Sequence, residues 1–304
     1  GKKQYLIEKS TFLSQTKFSV KVLDEFLEHR SITLRTLGSR ITGGSSWTLD
    51  DAKRQFNSKL FCADFLSFRE HPIINLQNGK YLVLDLQFLA ELLFNGLYFD
   101  VFFSLPKKKR GDFNSLWGRA FELYVDDLLE YFYRPISGIL QKDVLYENGQ
   151  IDAVLDFGTY VVVVETKFLL LEHNAKFSRN KEGFEREIRL KIIQNQKGEK
   201  KGVRQLADTT AAIMEQRVKK VEGKRPTYPV LLVAEASLES FGINSYLNRE
   251  FQKLLKVSQD RQLVKPLTVM SIQELETILP HTQAGDVTWA DILEHRIVNH
   301  NDVS

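Results

Sequence analysis

The stretch from Gln150 to Lys167, QIDAVLDFGTYVVVVETK, constrains this chain more than any other. Two apolar, Val-rich runs flank Gly158-Thr159, and glycine is what a two-residue type II′ turn requires at its first position, where φ must be positive. Counting outward from that turn sets Phe157 opposite Tyr160 and, further along, Asp152 opposite Glu165. Side chains alternate faces along a strand, so Val161, Val163, Glu165 and Lys167 share one face. Directly opposed residues have Cβ atoms about 4.5–5.5 Å apart, and two like charges there destabilise the ladder. A shared ion removes that penalty. The hairpin therefore calls for a divalent cation between Asp152 and Glu165.

The bulk composition permits many functions and excludes a few. Lys and Arg number 42 against 39 acids, a net charge of +3, too small to point to a nucleic-acid partner by itself. Cys62 is the only cysteine, so no internal disulfide forms, which fits a reducing, cytoplasmic setting. The six histidines lack the paired spacing of a zinc site. No apolar run reaches the roughly 20 residues of a membrane span, and no signal peptide is visible at the amino end. Gly1 in place of methionine reads as a tag remnant or a fragment of something longer.

Residues 1–105 read as a mainly helical domain with one hairpin. Val20, Leu23 and Leu27 recur at helical spacing. Gly43-Gly44-Ser45-Ser46 lacks the Lys-Ser/Thr ending of a P-loop and reads as a connector, with a helix starting at Thr48. Asn78-Gly79 between two apolar runs is a strong hairpin signal, and a helix through Phe88, Leu92 and Leu93 should follow. The polar segment from Pro106 to Asp112 is the expected boundary, with 106–304 as the second domain. Its run Lys107-Lys108-Lys109-Arg110 reads as a nuclear signal, a solvated run or a phosphate contact.

A long helix from Phe113 to Tyr133 comes next, with Trp117, Phe121, Val125, Leu128 and Phe132 as its stripe and Glu122 at the margin. Pro135 should end it. A strand within 136–146 then enters the hairpin through a second Asn-Gly turn at Asn148-Gly149. The charged stretch 168–201 is rich in Lys and Arg, with Glu185–Gln194 helical; it reads equally as a phosphate-holding excursion or a solvated loop. Helices at 203–218, 243–257 and 289–294, strands at 228–234 and 267–270, and a helix from Ser271 that stops before Pro280 complete the chain.

Two carboxylates suit Mg²⁺, which keeps several waters and takes one or two protein acids. Such an ion can arm a water and neutralise charge on a phosphodiester, and Glu122 would add a ligand directly or through water. Lys167 can orient that water or offset negative charge. Burial favours a base role for it and the neighbouring acids oppose one. Taken singly, each residue has an ordinary reading. Glu165 and Lys167 would be a strand salt bridge on a solvated face, Asp152 and Asp156 would be strand-end acids, and Glu122 a solvated flank.

As a set, helix with Glu122, strand with Asp152, strand with Glu165-x-Lys167, then a helix bearing Gln205 resembles the core of the PD-(D/E)xK (restriction-endonuclease-like) nuclease superfamily. Ile151-Asp152 stands where many members have Pro-Asp. The resemblance covers about Asp112 to Leu279. It implies an α/β fold with an αβββαβ core around a mixed sheet and dependence on Mg²⁺ or Mn²⁺. It also implies hydrolysis of nucleic acid, usually DNA, with RNA open, by Asp152, Glu165, Lys167, Glu122 and Gln205. Metal ligands would be Asp152, Glu165 and Glu122. A role in restriction or anti-phage defence, as a homodimer or within a larger effector complex, is the narrower expectation. The alternative is a nuclease-derived module that binds nucleic acid or protein without cutting.

Overall fold

The computed structural model describes residues 6–17, 19–41, 66–92, 96–134, 136, 138–147, 149–171, 180–195, 197–257 and 259–301. The expected connector at Gly43–Ser46, the helix start at Thr48, Cys62, Pro135 and the first part of the basic stretch lie outside them. The chain divides into two compact units, Gly1–Gly111 and Asp112–Ser304, with the division inside the polar segment Pro106–Asp112.

The first unit holds strands β1 (Leu6–Glu8), β2 (Ser31–Thr33), β3 (Ile73–Asn75) and β4 (Lys80–Val83). They form one sheet in the order β1-β4-β3-β2, with β2 parallel to β3. The β3–β4 hairpin turns through Gln77, Asn78 and Gly79, all with positive φ, a backbone state that Asn and Gly tolerate best. Helices α1 (Lys9–Gln15), α2 (Val20–Arg30), α3 (Leu34–Ile41), α4 (Leu66–Glu70), α5 (Leu86–Glu91) and α6 (Leu97–Ser104) accompany the sheet. The sequence anticipated the hairpin but not the sheet. The two added strands are three residues each, too short for alternating polarity to register. Its core is small: Ile32, Leu37 and Ile74, with Phe68 and Leu82 packed on them.

The second unit is α/β around a five-stranded mixed sheet. Strands β5 (Leu140–Tyr146), β6 (Gly149–Asp156), β7 (Val161–Lys167), β8 (Thr227–Val233) and β9 (Thr268–Ser271) lie side by side in that order. The first three run antiparallel; β7, β8 and β9 are parallel. Parallel neighbours need crossovers and bury both faces, so β8 reads as an unbroken apolar run, TYPVLLV, all buried. Helices α7 (Arg110–Tyr133), α11 (Ile272–Ala284) and α12 (Trp289–Asn301) carry residues of one core, which includes Val162 and Val164. Helices α8 (Lys181–Ile188), α9 (Gly202–Met214) and α10 (Phe241–Leu254) carry residues of the other, which includes Val161 and Val163.

Several expectations shift in detail. Gly149 belongs to β6, where it pairs with Tyr146, and not to the turn; Asn148 lies outside the described residues. The buried stripe of α7 runs Val125, Leu129, Tyr133, at the four-residue spacing that stacks side chains over successive turns. Pro280 does not end α11. Its missing N–H costs one intrahelical bond, while buried Leu275 and Leu279 hold the helix until Gly285, at φ 80°, caps it. Glu185–Gln194 divides into the end of α8 and a π turn at Arg189–Ile193. No helix among the described residues is long and apolar enough to cross a membrane.

Candidate active site

Gly158 has φ 79° and Phe157 N–H bonds the Tyr160 carbonyl at 3.0 Å, so the hairpin turns where the sequence places it. Ladder partners then run from Asp156–Val161 to Ala153–Val164. One more step sets Asp152 against Glu165, but the backbone ladder stops short of it. In its place the Asp152 carboxylate accepts the Thr166 N–H at 2.7 Å. A side chain thus takes over the sheet's next hydrogen bond, which fixes the carboxylate beside β7.

The other neighbour of β6 is irregular at the same point. By register Asp143 of β5 faces Asp152, yet that pair is skipped in the ladder, and Asp143 has φ 49°. A non-glycine residue in the left-handed region costs about 1 kcal/mol or more and interrupts a strand. On β6, Ile151 and Val154 consequently join the same core, breaking the two-residue alternation at Asp152. Asp143 is exposed and its carboxylate accepts from Gln150. Strand alternation alone misses it, and a turn at Asn148-Gly149 would have set Asp143 opposite Val154 instead.

Glu165 is 2 % exposed, and Lys167 Nζ lies 2.6 Å from its Oε1. A salt bridge on a solvated face is therefore excluded. Despite that close approach, Oε1 has no donor at a hydrogen-bonding angle among the described residues. Burial, then the charge of Asp152, push the Glu165 carboxyl up to about 8, with Lys167 offsetting only part. Burial likewise raises Asp152, against the Lys167 charge and the Thr166 N–H. Burial works against the charge on Lys167 as well, but Glu165, Asp152 and Glu122 outweigh it and hold the ammonium above its ordinary range. Without a metal the charged form of Lys167 is therefore the favoured one.

Glu122 stands on α7, half-buried, 3.3 Å from Arg119. Phe168, next after Lys167, packs against Trp117 and Phe121 of the same helix at 6.4 and 5.8 Å between ring centres. That contact carries Glu122 near enough for its charge to act on Asp152, Glu165 and Lys167. Among the described residues, however, no three Asp, Glu, His or Cys side chains are grouped to hold an ion. Glu122 acts on the pair through its charge.

Gln205 lies in the first turn of α9, where its N–H bonds the Lys201 carbonyl at 3.0 Å and its side chain is half-buried without a hydrogen bond. Gly202, three residues earlier and on the same side of the helix, was missed as a site residue. A Cβ there would come within 3.2 Å of Lys167 Cγ, 3.0 Å of Leu231 Cδ1 and 3.3 Å of the Ile192 carbonyl. Any side chain there would press on the lysine stem and the helix start. The sequence did place a glycine at the mouth of this helix, but its reason emerges only from the packing.

Asp156 tells the opposite story. Arg225 grips both its oxygens at 2.8 Å and also donates to the Gly158 carbonyl, while Asp156 Oδ1 accepts the Gly158 N–H at 2.9 Å. It is a structural clamp on the turn.

Asp152 and Glu165, two hard carboxylates each raised by burial, form a donor set whose chemistry suits a small divalent cation such as Mg²⁺ or Mn²⁺. Comparison of the chain with protein-family models, with curated proteins and with solved structures finds no match to any of them.

Proposed function

We propose that this chain is a metal-dependent nuclease whose second unit is a restriction-endonuclease-like core acting on phosphodiester bonds, with DNA as the first substrate to test. The observation that carries the reading is the Glu165 carboxylate. It is 2 % exposed, raised first by burial and then by the charge of Asp152, and the Lys167 ammonium 2.6 Å from its Oε1 offsets only part of that. A buried acid in that condition costs stability unless a cation joins it, so its retention at the end of an apolar strand points to work on a ligand.

Asp152 and Glu165 would hold Mg²⁺, which when bound supplies an activated water and neutralises phosphate charge. The chain's own residues do the rest. The Thr166 N–H orients Asp152 so that its carboxylate need not search for a position. Lys167, kept protonated by the surrounding acids, offers Nζ to a phosphate oxygen as negative charge grows there. Gly202 holds the lysine stem from behind, and Glu122 deepens the negative potential that keeps Nζ charged.

Incubation with plasmid DNA in Mg²⁺ tests this beside Asp152→Ala and Lys167→Ala. Cleavage by the wild type and its loss in both variants is the expected result. No cleavage by any protein, or equal products from all three, would reject the reading.

A further inference from the structure

We propose that the carboxy end of helix α6 and the basic turn after it form a binding site for single-stranded nucleic acid, with Phe99 and Phe103 as a base-stacking platform and Lys107, Lys108 and Lys109 as phosphate contacts. The proposal adds to the nuclease reading by giving the first unit a hold on the substrate strand, and binding reports on it apart from cleavage.

Helix α6 is LYFDVFFS, and only Tyr98 of it is buried. Phe99 and Phe103 are 38 % and 63 % exposed. Spaced four residues apart, they share one face, with rings nearly parallel at 16° and centres 5.9 Å apart. Exposed aromatics in an ordered stack are unusual, because burying two phenyl rings is worth several kcal/mol to a soluble fold.

The chain then returns over this face. Arg110 donates to the Phe103 and Leu105 carbonyls at 3.2 Å, satisfying the helix end, and its guanidinium lies 5.0 and 5.4 Å from the Phe102 and Phe103 ring centres. That anchorage ties the residue directly after Lys107–Lys109 to the Phe103 ring. The three lysines are exposed, and none has an ion-pair partner among the described residues. The one acid on the helix, Asp100, is engaged by Arg30.

Planar faces flanked by unpaired cations match a chain that alternates planar bases with phosphates. An apolar protein partner would be served equally by leucine and would gain nothing from three lysines at its rim. Bases bind such platforms because every base has a π face, and duplex DNA hides those faces in its stack.

The test is fluorescence anisotropy of the full chain with a labelled oligothymidylate, in EDTA so that no strand is cut. Phe99→Leu/Phe103→Leu keeps apolar bulk and removes the π faces. It should weaken binding about tenfold or more, while Phe103→Trp restores it. Lys107→Ala/Lys108→Ala/Lys109→Ala should lower the slope of log affinity against log salt by about 2. Circular dichroism checks that each variant is folded. Unchanged affinity in the folded leucine variant overturns the proposal, as does tighter binding of duplex than of single strand. A wild type that binds no oligonucleotide also overturns it, and plasmid cleavage read separately shows whether the nuclease reading falls too. Leucine variants that change the oligomeric state but not oligonucleotide affinity would assign the face to a second copy of the chain instead.

Discussion

The two ends of the β6–β7 hairpin carry the same kind of residue in opposite conditions. At the turn, Asp156 receives two hydrogen bonds from Arg225 and one from the Gly158 N–H, so charge and lone pairs are matched. At the open end, Asp152 and Glu165 share one ammonium, both carboxyls are raised, and a buried oxygen is left over. Folding alone accounts for the first acid. The second pair carries more negative charge than Lys167 offsets, which is the condition a bound cation would relieve.

Lys167→Ala or Asp152→Ala would sharpen the contrast most. Either should lower plasmid cleavage by about 10³-fold or more, the scale of losing a charge-stabilising group at a reacting phosphate. The next test applies one substitution type to both ends. Asp156→Asn should destabilise the protein by about 2–3 kcal/mol, because it leaves Arg225 partly buried without its charge partner. Glu165→Gln should abolish cleavage yet raise the melting temperature in EDTA at pH 8. If both lower it equally, the contrast fails.

Gly202→Ala follows in size. The added methyl must displace the lysine stem or the helix start, and about a tenfold fall in kcat with little change in KM is expected. A fall in melting temperature with kcat intact would leave Gly202 a packing residue only.

The smallest effect concerns pH. A carboxyl raised by folding takes up a proton as the chain folds, so without metal the contribution of Glu165 to stability is greatest below the ordinary carboxylate range. It declines as pH rises toward about 8, where Glu165 ionises. Mg²⁺ competes with that proton. Its gain in melting temperature, a few degrees at saturating ion, should grow from pH 5.5 to 8 and then level off. A gain independent of pH would place the ion elsewhere.

Much of this was legible in the sequence, and the parts that were not share a cause. One glycine turn gave the register of β6 on β7, since hairpin geometry leaves little freedom once the turn is fixed. The acid–acid–lysine set followed from counting. Hidden from counting were contacts made by residues remote in sequence or by irregular backbone: Arg225 on Asp156, Gly202 on Lys167, and the left-handed Asp143 where the β5–β6 ladder skips Asp152. The three-residue strands of the first unit escaped because a pattern of period two needs more than three residues to show.

The most direct measurement is anomalous scattering from a crystal soaked in Mn²⁺. A peak between the Asp152 and Glu165 carboxylates, within 2.5 Å or so of both and lost in Glu165→Gln, is the predicted result. Clear density for both side chains with no ion between them would contradict the account at its centre.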